Sequence, residues 1–211
     1  MLFTFVGVTN SHLGAETASP PNISTTVWWA TEDSNNPPGV LLMVDLDVPR
    51  NNTRVQLLHW IATNVTLGPA ASASNSTPLV IGNVPVPYLQ PSPPVGDVPH
   101  SYTFVLFRQP ANFSIPAQYS NLATMRLPFN VSQFVRDAGL GQPLAGNWIQ
   151  VQNLTGTPTT TYPPARSPTS TSGGGGTPVP FPGAAAQLLG DRALWVGVST
   201  ALIAGFAALA L

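Results

Sequence analysis

A long stretch near the C-terminus cannot contribute to a packed core, and this limits what the rest of the chain can build. Residues 155–182 read TGTPTTTYPPARSPTSTSGGGGTPVPFP, almost entirely Thr, Ser, Pro and Gly. Such a composition buries too little apolar area to offset the entropy of ordering the chain. We therefore expect one domain over residues 1–152 and a disordered stalk over residues 153–183. Proline and hydroxyl residues suit an extended, O-glycosylated stalk, although an ordinary flexible linker has the same composition.

The last residues follow the order of a GPI-anchor signal. Small residues at 183–185 precede a short spacer ending in Asp191 and Arg192, and residues 194–211 are apolar and uncharged. This order predicts a GPI-signal propeptide over residues 184–211, with attachment at Gly183. A retained membrane-spanning helix is the alternative, but the apolar run is at the short end of the ~20 residues required, and no Lys or Arg follows it.

The N-terminus does not read as a secretory leader. Residues 1–18 have no basic region, and the apolar run over residues 2–8 is short, which is typical of a first β-strand. We predict that a leader is missing from the sequence, and that the protein is secreted and GPI-anchored at the cell surface, in the plasma membrane or cell wall. A cytosolic protein is the alternative.

Glycans would supply the solubility that the charged residues do not. Charged residues make up 7% of the chain, against roughly 25% in an ordinary domain. Random placement of Asn, Ser and Thr gives roughly 2.5 Asn-x-Ser/Thr sequons, whereas the chain has nearly three times as many. The predicted glycosylation sites are Asn22, Asn51, Asn64, Asn75, Asn112, Asn130 and Asn153.

The same composition excludes several classes of function. The net charge is -1 and the seven Arg are scattered, so the chain lacks the basic surface that nucleic acid requires. The absence of cysteine removes disulfides, thiol catalysis and Cys-ligated zinc. We expect no nucleic-acid partner.

Short segments rich in β-branched and aromatic residues alternate with turn residues and predict a mainly β fold. The candidate strands are residues 3–8, 26–30, 40–45, 57–65, 102–108 and 148–151. Without alternating helices, they favour an antiparallel β-sandwich. One helix is predicted where Asn130 precedes Gln133 as an N-cap and Gly139 or Gly141 ends the pattern, with its apolar stripe against the sheet.

Polar residues with chemical potential concentrate in three segments of the folded part. Asp45 and Asp47 project from one side at the end of an apolar strand, and His59 lies inside another. His100 and Tyr102 share a face after the loop PSPPVGDVP. Each has a structural alternative, since a histidine on an apolar strand is often a core residue and paired Asp often cap turns.

In this order the three segments resemble the phosphatidylethanolamine-binding protein family. Residues 45–49 resemble its Asp-Pro-Asp-Ala-Pro box, residues 57–65 its strand with a pocket histidine, and residues 92–102 its Gly-Pro-Pro-x-Gly-x-x-x-His-Arg-Tyr loop. Residues 129–152 resemble the end of its domain, so the likeness covers about residues 3–152. Departures include Leu46 and Val48 for Pro and Ala, Leu57 and Leu58 for Trp and His, and Ser101 for Arg.

The resemblance implies an antiparallel β-sandwich, one or two short helices near its C-terminal end, and a small pocket for an anion or phosphorylated headgroup. It implies these ligand-binding residues: Asp45, Asp47, His59, Pro93, Pro94, His100 and Tyr102. Imidazole, phenol and loop N–H groups can donate to phosphate, while a carboxylate can accept from an ammonium group. We therefore expect a non-enzymatic protein without cofactor or metal that binds a small anionic ligand, such as a phospholipid headgroup.

Two alternatives come from different functional classes. The first is a protein-interaction module resembling protease or kinase inhibitors. The second is a hydrolase or metal site that uses Asp45 and Asp47 with His59 or His100. No Gly-x-Ser-x-Gly, His-Glu-x-x-His or P-loop pattern supports the second.

Overall fold

The computed structural model describes residues 3–6, 11–12, 17–25, 37–69 and 77–166. The predicted strand at 26–30, Asn75, most of the predicted stalk and the predicted GPI signal with Gly183 lie outside these residues. The fold is mainly β, as expected: a curled, antiparallel sheet with little helix. No helix among the described residues has the length and apolar character needed to cross a membrane.

The described residues contain nine strands, which form the sheet in the order β1-β3-β6-β5-β4-β8-β9-β2, with β7 paired to β5. Their bounds are β1 Phe3–Val6, β2 Ser11–His12, β3 Asn22–Thr25, β4 Gly39–Arg50, β5 Thr53–Leu67, β6 Thr77–Val80, β7 Asn83–Val86, β8 His100–Arg108 and β9 Pro143–Gln152. The short β2–β9 pairing is parallel, and the other pairings are antiparallel.

The central strands are buried on both faces, which explains their unbroken apolar runs. Along β4, Val40, Leu42 and Val44 join one apolar cluster, whereas Leu41 and Met43 join a second cluster on the opposite face. Helix α1, Val131–Asp137, covers the first cluster. The sheet is therefore packed on both sides, and polar groups inside it require partners from the protein itself or a ligand.

Helix α1 confirms the predicted capping pattern. The Asn130 side chain accepts a hydrogen bond from the Gln133 backbone N–H at 2.9 Å. Phe134 is fully buried on the predicted apolar face, and Gly139 ends the helix with φ of +64°. A short 3₁₀ turn at Ala117–Tyr119 precedes α1.

A tight turn between β4 and β5 sets the position of the polar residues at the end of β4. Asn51 and Asn52 both have positive φ, 48° and 59°, a conformation that asparagine tolerates well. The turn pairs Pro49 with Arg54, and the ladder is irregular between Asp45 and Val48. Arg54 consequently lies beside the two aspartates of β4.

Residues 154–166, called the C-terminal strap below, continue from β9 across the loop that precedes β8. Asn153 forms a parallel bridge with Val95, and Arg54 donates to the carbonyl oxygens of Pro163 and Pro164. The composition predicts disorder from residue 153, whereas residues 153–166 have these defined contacts. The Pro163 and Pro164 carbonyl oxygens accept hydrogen bonds from the buried guanidinium of Arg54. Composition alone does not predict such a contact, because the partners are far apart in the sequence.

Candidate ligand-binding site

The three predicted polar segments converge at one end of the sheet. Asp45 on β4 is paired in register with Leu57 on β5 and with Tyr102 on β8. His59 follows on β5, and the loop of residues 91–99 delivers His100 at the start of β8. The predicted ligand-binding residues therefore share one neighbourhood, although their role in binding stays a prediction.

His100 lies between two buried carboxylates. Its Nδ1 is 2.7 Å from Asp45 Oδ2 and its Nε2 is 2.9 Å from Asp97 Oδ2. Because carboxylate oxygens accept, both ring nitrogens donate and the imidazole is positively charged. Burial lowers the pKa of His100, but the hydrogen bonds and charges of Asp45 and Asp97 outweigh it and raise this pKa above 6.5. Removing the His100 ring would leave two carboxylates buried without their counter-charge.

Arg54 and Asp97 belong to the same network, and neither is among the residues predicted from the sequence. Arg54 binds both oxygens of Asp97, with Nη1–Oδ2 at 2.9 Å and Nη2–Oδ1 at 2.6 Å. The side chains are 3% and 0% exposed. Burial alone raises the pKa of Asp97, but hydrogen bonds from Arg54 and His100 outweigh it and lower this pKa. In a chain with 7% charged residues, an Asp three positions before His100 was the available signal.

Asp47 is also buried, and it links the start of β8 to β4. Its Oδ2 accepts from the Ser101 backbone N–H at 2.8 Å, and its own N–H donates to Asp45 Oδ1 at 2.8 Å. Ser101 stands where the resembled family has Arg, so this position of β8 supplies no guanidinium. A guanidinium is supplied instead by Arg54 on β5, whose Nη1 donates to the Asp47 carbonyl oxygen at 2.6 Å.

His59 has one partnered and one unpartnered nitrogen. Its Nδ1 lies 2.7 Å from the Leu89 carbonyl oxygen, which only accepts, so Nδ1 carries a proton. Burial lowers the pKa of His59, which keeps the ring neutral at pH 7 and makes Nε2 an acceptor. This Nε2 is buried and has no hydrogen-bond partner. The site thus presents one buried acceptor that the described residues do not satisfy.

Tyr102 lies between the two histidines. Its ring is 5.0 Å from the His59 ring in an edge arrangement and 6.4 Å from the His100 ring in a stacked one. Burial, the main cause, and the adjacent Asp45 carboxylate raise the pKa of Tyr102 far above its usual value. The phenol therefore stays protonated.

The predicted rim residues lie in the loop that carries Asp97. Pro93 is buried and Pro94 half-buried, and the Pro94 carbonyl oxygen accepts from the Asp97 N–H at 3.2 Å. Gly96 follows with φ of +81°, a conformation that favours glycine. The two prolines thus position the turn that places Asp97 beside His100.

Together these groups form a chain of alternating charge: Asp45, His100, Asp97 and Arg54. Each buried charge in this network has a partner of opposite charge. Both N–H groups of His100 donate to carboxylates within the network. Within residues 17–25, 37–69 and 77–166, no three His, Cys, Asp or Glu side chains form a group suited to a metal ion. The arrangement is a buried, hydrogen-bonded polar network that lies beside an unpartnered acceptor, His59 Nε2.

Comparison with known proteins identifies the family. A family model described as phosphatidylethanolamine-binding protein matches residues 7–159, more than half of the chain. The chain therefore belongs to the phosphatidylethanolamine-binding protein family.

Among curated relatives, phomoidride biosynthesis cluster protein N of Talaromyces stipitatus is 38% identical over 119 residues, covering 52% of this chain and 57% of that protein. The 26 kDa secreted antigen of Toxocara canis is 32% identical over 142 residues, covering 64% of this chain and 49% of that protein. The chain thus spans about half the length of these relatives. A carboxypeptidase Y inhibitor, solved in complex with its cognate proteinase, shares the fold at 18% identity with a TM-score of 0.52, over 72% of this chain and 83% of that one.

Proposed function

We propose that this chain is a non-catalytic binding protein whose pocket takes a small phosphate-bearing ligand that also carries an N–H or O–H donor. A phospholipid headgroup such as phosphoethanolamine has both groups. The pocket residues are Asp45, Asp47, His59, Pro93, Pro94, His100 and Tyr102. Membership of the family supports the ligand class, and the buried polar network supports the location.

The unpartnered Nε2 of His59 carries this proposal. A buried acceptor without a partner costs about 1–3 kcal/mol, so a folded protein keeps one mainly where another molecule supplies the donor. An ammonium or hydroxyl group on the ligand is such a donor. The neighbouring Asp45 carboxylate would favour the ammonium group by its charge.

Calorimetric titration of O-phosphoethanolamine into the purified chain tests the proposal. His59→Phe removes the free acceptor, and Tyr102→Phe removes the hydroxyl of a proposed pocket residue. Each should weaken binding by roughly 5- to 30-fold, the value of one lost hydrogen bond. Tyr88→Phe is the matched control, because the Tyr88 hydroxyl donates to the Thr17 carbonyl oxygen at 2.8 Å, outside the pocket. Equal affinity in all four proteins would contradict the proposed site. His100 is avoided as a test residue because its removal would leave the buried carboxylates of Asp45 and Asp97 without their shared counter-charge.

The proposal includes secretion, N-glycosylation and a GPI anchor. Among the described sequon residues, Asn153 is half-buried and the side chains of Asn22, Asn51, Asn64, Asn112 and Asn130 are exposed, as glycan acceptors must be. The Toxocara canis relative is by its name a secreted antigen. Expression behind a secretory leader in a fungal host should give a protein whose mass falls on treatment with peptide N-glycosidase, and which phosphatidylinositol-specific phospholipase releases from membranes. An unchanged mass would refute glycosylation, and retention on membranes would refute the anchor.

A protein-binding function is the second candidate. The carboxypeptidase Y inhibitor of similar fold forms a complex with its cognate proteinase, and this chain exposes Met125 (64%) and Leu154 (61%). A carboxypeptidase inhibition assay tests it, and activity that survives Tyr102→Phe would separate a protein surface from the pocket.

The hydrolase alternative would require a histidine able to move a proton. Both His100 nitrogens are bonded to carboxylates, and the proposal assigns His59 to a ligand. Metal analysis and assays with generic esters and glycosides test this alternative, and hydrolysis lost in His59→Phe would favour it.

A further inference from the structure

The guanidinium of Arg54 has every N–H engaged, and the acceptors come from two different parts of the chain. An Arg side chain has five N–H donors. Three of them bind the domain: Nη1 donates to the Asp47 carbonyl and to Asp97 Oδ2, and Nη2 donates to Asp97 Oδ1. The remaining two bind the C-terminal strap: Nε donates to the Pro164 carbonyl at 3.1 Å, and Nη2 to the Pro163 carbonyl.

The two donors that hold the strap lie on one edge of the guanidinium. The Nε–H bond and the adjacent Nη2–H bond point in the same direction. Together they form the edge of a guanidinium that can bind phosphate or carboxylate through two parallel hydrogen bonds. The other edge is fixed by Asp97, so the group is already oriented. If the strap moved away, Arg54 would present a preorganised anion-binding edge beside the pocket.

Other strap contacts follow the same path. Pro158 packs so closely on Gly96 that a Cβ on this glycine would lie 2.5 Å from the proline ring. At the far end, Arg166 Nε lies 4.0 Å from Asp47 Oδ1, so the strap also places a cation near a pocket carboxylate. The strap thus offers carbonyl acceptors to Arg54 and a positive charge to Asp47, the two kinds of group that a ligand with phosphate and ammonium would offer.

We propose that the C-terminal strap is an intramolecular competitor of the ligand, and that Arg54 binds the ligand's phosphate when the strap is displaced. This inference rests on the proposed function and adds to it a phosphate-binding residue and a regulatory segment. The ligand's apparent affinity is then reduced by the fraction of molecules in which the strap is closed.

The test compares full-length chains. Pro163→Gly, Pro164→Gly and Arg166→Ser together loosen the strap by removing the stiff prolines and the charge. Pro178→Gly, Pro180→Gly and Arg192→Ser make the same chemical changes downstream of it and serve as the matched control. Arg54→Lys, placed in the loosened chain, keeps the charge but removes the two-pronged edge. The probes are inorganic phosphate, O-phosphoethanolamine and vesicles containing phosphatidylethanolamine, which separate phosphate alone, a free phosphomonoester and a lipid surface.

We expect the loosened chain to bind O-phosphoethanolamine about 10-fold or more tightly than wild type, the control chain to match wild type, and Arg54→Lys to cancel the gain. Trypsin should also cut wild type after Arg166 faster when O-phosphoethanolamine is present. Equal affinity of the loosened and wild-type chains would overturn the competition while leaving the proposed function in place. A gain that survives Arg54→Lys would overturn the role of Arg54. If neither chain binds any probe at millimolar concentration, the proposed function itself fails, and this inference with it.

Discussion

Replacing Arg54 with methionine removes the guanidinium while keeping a side chain of similar length. The Asp97 carboxylate, fully buried, would lose its two hydrogen bonds from Arg54 and keep those from His100 and from the Val98 N–H. The Asp47 carbonyl oxygen would lose its donor as well. The substitution therefore leaves a buried negative charge with one counter-charge instead of two.

The expected cost follows from that loss. Breaking a buried ion pair by removing one partner typically costs 3–5 kcal/mol, because the remaining charge stays desolvated. This is a large share of a total stability of about 5–15 kcal/mol. With a urea m-value of roughly 2 kcal/mol per molar, a loss of about 4 kcal/mol lowers the unfolding midpoint by about 2 M.

Urea unfolding followed by tryptophan fluorescence measures this change. Arg136→Met is the matched control, since Arg136 is exposed and its Nη2 donates to Gln133 Oε1 in the same helix; we expect it to cost at most about 0.5 kcal/mol. Adding Asp97→Leu to Arg54→Met should cost less than the sum of the single changes, because no unpaired carboxylate remains. If Arg54→Met is as mild as Arg136→Met, the reasoning about the buried network is refuted.

In an NMR titration the pKa of His100 should lie above 6.5 and that of His59 below it. The contribution of His100 to the free energy of unfolding is then complete below pH 6.5, and it is lost as pH rises through the raised pKa of the folded state. His59 has the opposite effect: below pH 6.5 it is protonated in the unfolded chain, which lowers the stability of the fold. The reverse order of the two titrations would contradict the site geometry. Gly139→Ala should cost about 1 kcal/mol in thermal unfolding because φ is +64°, while Gly141→Ala, without positive φ or near neighbours, should be almost neutral; equal effects would argue against that strain. Asn130→Ala should cost about 1 kcal/mol and Asn130→Asp much less, because aspartate still caps the helix; equal losses would argue against the cap.

The elements that the sequence predicted well are those with strong local patterns. The capped helix at Asn130 and the apolar runs of β4, β5 and β8 were found, although β4 and β5 extend several residues beyond the predicted ends. Strands β2, β3, β6 and β7 were not predicted. They are two to four residues long, and a strand that short has too few alternating positions to produce a pattern.

The sequence motifs predicted part of the candidate site. Arg54 and Asp97 were not predicted, because they join the site through pairing between residues that are distant in the sequence. Asp45, His100 and Tyr102 lie in segments whose order carried the family resemblance. The pairing of Arg54 with Asp97 joins residues 43 positions apart, and the strap contact joins Arg54 to a segment 110 positions away. Low-complexity composition describes the average behaviour of such a segment and cannot reveal that two proline carbonyls meet one guanidinium.

A crystal structure of the full chain with the loosened strap, grown with O-phosphoethanolamine, would show directly whether the proposed pocket holds this ligand. We expect ligand density between Asp45, His59, His100 and Tyr102, with a donor of the ligand within hydrogen-bonding distance of His59 Nε2. Density for the ligand elsewhere, or a pocket that holds only water at saturating ligand, would contradict it.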